Sequence, residues 1–173
     1  MNLGRLFSAF EFAKRAHEGQ KRKTGEPYIT HLVETSQIAE KYGADEEAII
    51  ACLLHDTVED CGVSLKEIEK RFGGKIAFLV DGATKMSSPD ETYKKIEDYC
   101  RKDSRVVLVK LCDRIHNTKT LFNNLPSLDK TRAKYKISNY NYIRLGKKYG
   151  YSKISKELEK ITKYLEEGKW ESR

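Results

Sequence analysis

Apolar residues recur at helical spacing through most of the chain. Leu3, Leu6, Phe7, Phe10, Ala13 and Ala16 form one stripe, and Gly19 closes the helix they predict. Gly25 and Pro27 punctuate a loop from Gln20 to Pro27. A second helix is predicted from about Thr30 to Tyr42, stopped by Gly43. A third starts near Asp45. Its run Ala48-Ile49-Ile50-Ala51-Cys52-Leu53-Leu54 is apolar all round, which marks a central, buried helix. Ser64-Leu65-Lys66-Glu67 has the form of a capping box, with Gly73-Gly74 ending the short helix behind it. Ile76, Leu79, Val80 and Ala83 make another stripe, and Ser88-Pro89-Asp90-Glu91 is a second capping box with Pro at the first helical position. Val106-Val107-Leu108-Val109 reads as a strand by propensity. The same residues could equally open a buried helix through Leu111, Ile115 and Leu121, since periodicity does not decide a run this short. Two helices close the chain. One runs from about Leu128 to Tyr149, ahead of Gly150; the other carries Ile154, Leu158, Ile161 and Leu165.

Composition narrows the class. A chain of 173 residues, 39% hydrophobic and 34% charged, is expected to fold as one soluble domain over residues 1–173. No apolar run approaches the ~18–20 residues of a membrane span, and the N-terminus lacks the apolar core of a signal peptide. Cys52, Cys61, Cys100 and Cys112 show no Cys-x-x-Cys spacing, so reduced thiols and a cytoplasmic location are expected. The net charge of +7 suits an anionic partner. Part of the excess lies in Lys14, Arg15, Lys21, Arg22 and Lys23, and part is spread along the C-terminal helices as a solvated face.

The chemistry concentrates at His55-Asp56-Thr57-Val58-Glu59-Asp60, one imidazole and three carboxylates directly after the apolar run. On a continuous helix at about 100° per residue, His55, Asp56, Glu59 and Asp60 fall within roughly 140° of one face. Clustered carboxylates at the end of an apolar helix repel and lose hydration, and a divalent cation would compensate them. A solvated helix end accounts for the same six residues. Two other segments could contribute ligands: His31, at the start of the second helix, and Asp113. If residues 110–120 are helical, Lys110, Asp113, Asn117 and Thr120 share a face, either as a phosphate-and-metal surface or as an ordinary salt-bridged one. His31, His55, Asp56 and Asp113 together would suit a first-row divalent ion with positions left open, favouring hydrolysis over a closed structural zinc site.

Several segments, in order, resemble the hydrolase domain of RelA/SpoT-type alarmone enzymes, a branch of the HD-domain phosphohydrolases. They are AHEGQKRKTGEPYITH (16–31), LLHDTVED (53–60), FG (72–73), LVDGATK (79–85) and KLCDRIHN (110–117). The similarity is strong from residue 5 to about 121 and loose beyond. It implies an all-α helical bundle of about eight or more helices, with the metal-bearing helix central and buried. It also implies manganese (Mn2+) held by His31, His55, Asp56 and Asp113, and removal of the 3′-pyrophosphate from guanosine tetra- or pentaphosphate. By the same resemblance Glu59 and Asp60 are catalytic, positioning or deprotonating the attacking water. Arg22 contacts the guanine, Lys23 the phosphate, Thr24 stands where a small hydroxyl residue is usual, and Asn117 and Thr120 touch the nucleotide. His17 and His116 read as structural. The chain departs from the family in having Leu32 after the first ligand histidine, where proline is usual, and Thr118-Lys119 after Asn117.

Other readings remain open on sequence. The scaffold could act on an adenosine alarmone or on the 2′-phosphate of NADPH. A non-catalytic nucleotide or RNA binder is the second class, prompted by the charge and by Tyr135, Tyr140, Tyr142, Tyr149 and Tyr151 among lysines. Several of those tyrosines fall at core spacing, so nucleic acid is not the expected partner; a guanosine alarmone is, with no membrane, and with oligomeric state undetermined.

Overall fold

The computed structural model describes residues 1–124 and 129–167. Among the described residues ten helical segments follow one another: α1 (Leu3–Ala16), α2 (Tyr28–Lys41), α3 (Glu46–Leu54), α4 (Thr57–Cys61), α5 (Leu65–Phe72), α6 (Gly74–Ala83), α7 (Pro89–Cys100), α8 (Arg105–Asn124), α9 (Asp129–Lys148) and α10 (Ser152–Glu167). The architecture is all-α, with no strand among the described residues and a single bridge, between Lys21 and Pro27, closing the loop before α2. No helix among those residues is long and apolar enough to cross a membrane. The expected boundary at Leu128 and the side chain of Leu165 lie outside the described residues.

α3 occupies the centre, as its all-round apolar surface requires. Every residue from Ala48 to Leu54 is buried, and the helix packs against α1, α2, α6 and α8. α8 is the second central element. Val106, Val107, Leu108 and Val109 are buried on its first turns, and it touches α2, α3, α6, α7, α9 and α10. The β-branched run therefore opens a helix, because burial on all sides outweighs strand propensity.

The third helix ends earlier than expected. Rather than carrying the acidic motif on one continuous face, α3 stops at Leu54, and His55 and Asp56 form a turn before α4. The cause is local. His55 Nδ1 lies 2.7 Å from the carbonyl of Cys52, and the Thr57 hydroxyl donates to the carbonyl of Leu54 at 2.7 Å. Side chains thus satisfy carbonyls that a continuing helix would bond with its own amides, and the ladder closes there. Two smaller boundaries also differ. Gly73, at φ +98°, caps α5, but Gly74 already belongs to α6. Ser64 caps α5 through the Glu67 amide, while the Glu67 carboxylate pairs with Arg71 instead of completing the box. The box at Ser88 is complete, with Glu91 returning the bond and Pro89 at the first position.

At Gly82, in α6, side chains of α7 and of the start of α8 pack directly against the helix backbone. A Cβ placed there would lie 2.6 Å from Tyr99 Cδ1 and 2.8 Å from Val106 Cγ2. Gly82→Ala is expected to lower stability by about 1–2 kcal/mol, overpacking outweighing the gain in helix propensity. Urea unfolding checks this: the midpoint should fall at constant slope, whereas an unchanged midpoint would mean that Tyr99 and Val106 move aside freely.

Candidate metal centre and nucleotide site

Three separated stretches of chain meet in the core. His31 comes from the first turn of α2, His55 and Asp56 from the turn after α3, and Asp113 from the middle of α8. All four are buried. Ligand atoms of His31, His55 and Asp56 lie within 4.8 Å of one another. His31 Nε2 is 3.4 Å from Asp56 Oδ2 and 3.5 Å from Asp113 Oδ1; His55 Nε2 is 3.2 Å and 3.7 Å from the same two oxygens.

The donor set fits a cation for a reason visible in the second nitrogen of each ring. His55 Nδ1 faces a backbone carbonyl and so carries its hydrogen, which leaves Nε2 as a lone pair in the neutral ring. His31 Nδ1 faces His116 Nδ1 at 2.6 Å. Burial, together with His31 and Arg22 nearby, pushes His116 down to about 3, so that ring is neutral and can accept from His31. Both Nε2 atoms are buried without a hydrogen-bond partner. Two imidazole lone pairs therefore point at two carboxylate oxygens, an arrangement that repels unless a cation or protons lie between them.

The electrostatics of the cation-free cluster agree. Burial pushes the Asp56 carboxyl up, but His55 and His31 beside it hold it well below the usual range. Burial acts likewise on Asp113, and Lys110 with the two histidines holds it well below. Burial alone would push His55 down; Asp56 and Asp113 carry it well above an ordinary histidine. The pocket thus retains ionised carboxylates and draws positive charge into the gap. Lys110 supplies some of it permanently. This lysine is buried, and its ammonium lies 3.1 Å from Asp113 Oδ2.

The other expected site residues surround this cluster unevenly. Glu59, on α4, accepts from the Lys85 ammonium at 2.6 Å and from the Lys85 amide at 3.2 Å. Asp60 Oδ2 lies 2.9 Å from the Tyr28 hydroxyl. Arg22 reaches across from the loop before α2 and donates to Asn117 Oδ1 at 2.6 Å and Thr120 Oγ1 at 3.5 Å, so three of the expected nucleotide contacts meet. Asn117 in turn donates to Asp113 Oδ1 through a very short bond. The Arg22–Gly25 turn, closed by the Gly25 amide on the Arg22 carbonyl at 2.9 Å, carries Lys23 exposed and Thr24 half-buried. Neither is brought against the cluster by a hydrogen bond among the described residues. His17 and His116 act as supports: His17 stacks on Tyr28 at 4.4 Å, and His116 holds the His31 ring.

Tyr28 and Lys85 carry no role in the sequence-based expectations, yet both touch the site residues. Tyr28 sits three residues before His31, on the same face of α2, with its hydroxyl 2.8 Å from Asp56 Oδ2. Lys85 ends the LVDGATK segment that the resemblance already singled out.

Similarity to known proteins places the chain in a family. The chain matches the HD domain family over residues 9–151. It is 43% identical over 157 residues to a guanosine-3′,5′-bis(diphosphate) 3′-pyrophosphohydrolase of Aquifex aeolicus, covering 87% of this chain and 22% of that protein. It is 37% identical over 168 residues to the bifunctional (p)ppGpp synthase/hydrolase SpoT of Escherichia coli K12, covering 92% of this chain and 24% of that protein. The chain thus spans about a quarter or less of the length of these curated relatives. A solved structure described as a metazoan ortholog of SpoT that hydrolyses ppGpp superposes with a TM-score of 0.77 at 25% identity, covering 95% of this chain and 96% of that one. With a matching family over most of its length, and a buried His/His/Asp cluster able to hold a divalent ion, the chain belongs to the HD-domain family as a close relative of RelA/SpoT-type (p)ppGpp hydrolase/synthetase proteins.

Proposed function

We propose that this chain is a manganese-dependent hydrolase that removes the 3′-pyrophosphate of guanosine tetra- or pentaphosphate, leaving GDP or GTP. The observation that carries the reading is the convergence of two unpartnered imidazole nitrogens on two buried carboxylates, beside the Arg22–Asn117–Thr120 group. The names of the Aquifex relative and of the metazoan structure support the substrate. Two imidazoles and two carboxylates form a donor set of intermediate hardness, which suits manganese.

His31, His55, Asp56 and Asp113 would hold the ion. Bound there, it supplies Lewis acidity toward a phosphate oxygen and toward water. The chain's own residues do the rest. Arg22 presents a planar cation that can stack on the guanine, with Asn117 and Thr120 fixing its direction from α8. Lys23 and Thr24, on the adjoining turn, meet the phosphates of the bound nucleotide. Glu59 takes the proton of the attacking water, its carboxylate steered by Lys85. Asp60, the next residue on α4, positions that water, and the proton taken by Glu59 is the one returned to the leaving oxygen.

Glu59→Gln is expected to lower turnover of ppGpp by about 10²–10⁴-fold, the usual worth of a positioned base, while nucleotide affinity measured by calorimetry survives. Unchanged turnover would remove Glu59 from the mechanism. Assaying the guanosine and adenosine 3′-pyrophosphates beside NADPH on the manganese-loaded protein tests the substrate itself. Activity restricted to guanosine supports the reading, and inactivity on all three with manganese bound overturns it.

A further inference from the structure

Tyr28 touches more of the candidate machinery than any role in packing requires. Its hydroxyl lies 2.8 Å from Asp56 Oδ2 and 2.9 Å from Asp60 Oδ2. Asp56 Oδ2 is the oxygen that faces both imidazole nitrogens. The ring stands edge-on to His31, with centroids 5.8 Å apart and planes at 82°. His17 lies parallel to it at 4.4 Å and 1°, and the Arg22 guanidinium sits 5.5 Å from its centroid. His17 is itself held by Gln20 at 2.9 Å. One side chain thus meets a ligand carboxylate, a ligand imidazole, a candidate catalytic carboxylate and the candidate base-binding arginine.

A carboxylate joined to its backbone by rotatable bonds must be fixed before it can present one oxygen to a cation. A hydrogen bond from outside the ligand set does this, and losing such a bond characteristically weakens a metal site. Asp56 sits in a turn with no side-chain cap of its own, so the helix does not fix it. The phenol reaches the Asp56 oxygen that faces the two imidazoles. The same hydroxyl, with one hydrogen to share, lies within bonding distance of an oxygen of each carboxylate and so keeps Asp60 beside Asp56.

We infer that Tyr28 is a positioning residue for the reaction proposed above: its hydroxyl holds Asp56 in the ligand rotamer and Asp60 beside it, while its ring seats Arg22. The inference rests on that reading for turnover, but not for metal binding. Tyr28→Phe keeps the ring, and with it the contacts to His17, His31 and Arg22, and removes only the hydroxyl. Manganese affinity, followed by the electron paramagnetic resonance of the free ion, should weaken about 10–100-fold. At saturating manganese, kcat for ppGpp should fall while KM stays near the wild-type value. A purely structural role would leave manganese affinity unmoved.

Manganese affinity within twofold of wild type overturns the inference. So does a loss confined to KM, which would make Tyr28 a base-binding residue only. If the wild-type chain binds manganese but leaves ppGpp intact, the proposed reaction fails and the manganese arm still decides Tyr28. Should Tyr28→Phe not be obtained folded, His17→Leu, which removes the plate behind the ring, must weaken manganese in the same direction; unchanged affinity there counts against the inference.

Discussion

His55→Ala is expected to abolish divalent-metal binding, and turnover with it. The imidazole offers its Nε2 to the cluster from a fully buried position, with two carboxylate oxygens 3.2 and 3.7 Å away. Alanine leaves Asp56 and Asp113 facing a smaller donor set and a cavity that admits water. The loss in turnover should be at least as large as the ~10⁴-fold upper range for removing a general base, because the Lewis acid and the activated water are lost together. Elemental analysis of the purified variant checks the first half and a ppGpp assay the second. A variant that retains one equivalent of metal would move the site elsewhere in the chain, and one that retains activity without metal would end the metal-dependent mechanism.

The largest effect on stability is expected at Lys110. Its ammonium is buried in the second central helix and is paired with Asp113, which is buried as well. Burial opposes its charge, yet Asp113 beside it keeps it raised above an ordinary lysine, so the pair stays ionised. Lys110→Met matches the length of the side chain and deletes the charge. Breaking one side of a buried ion pair costs about 3–5 kcal/mol, because the remaining charge stays without compensation. Urea unfolding of metal-free protein should report that loss. Saturating manganese should recover part of it, since a ligand that binds only the folded state stabilises by mass action. A loss below about 1 kcal/mol would show that Asp113 is satisfied by the histidines alone.

Much of this was legible along the chain, for identifiable reasons. α1 and α6 keep a clear helical stripe, and Ser88 to Glu91 marks the start of α7 by a chemistry that needs no tertiary partner. The central place of α3 followed from its lack of any polar face. His31, His55, Asp56 and Asp113 could be named as candidate ligands from their residue types and again from the resemblance, while the geometry that brings His31 and Asp113 to His55 comes from helix packing that no local pattern encodes. Val106–Val109 stayed ambiguous because β-branched residues serve a buried helix as readily as a strand; packing of α8 against six neighbours decides it. The arc drawn through His55, Asp56, Glu59 and Asp60 assumed an unbroken helix, and two side chains that bond back to the end of α3 break it. Tyr28 was invisible for another reason. A tyrosine after Gly-Glu-Pro has no periodic signature, and its significance arises only where α2 and α4 meet.

The contact between the His55 ring and the Cys52 carbonyl restricts what position 55 can become. Aspartate or glutamate could ligate a divalent ion, but neither has a hydrogen to give that carbonyl when ionised. Asparagine could give the hydrogen, but its remaining oxygen is a short-armed, neutral ligand pointing from the same carbon. A rigid ring with two separate nitrogens can finish the helix with one and leave the other free for a cation. Engineering a different metal preference into this cluster would therefore have to begin at residue 31 or 56.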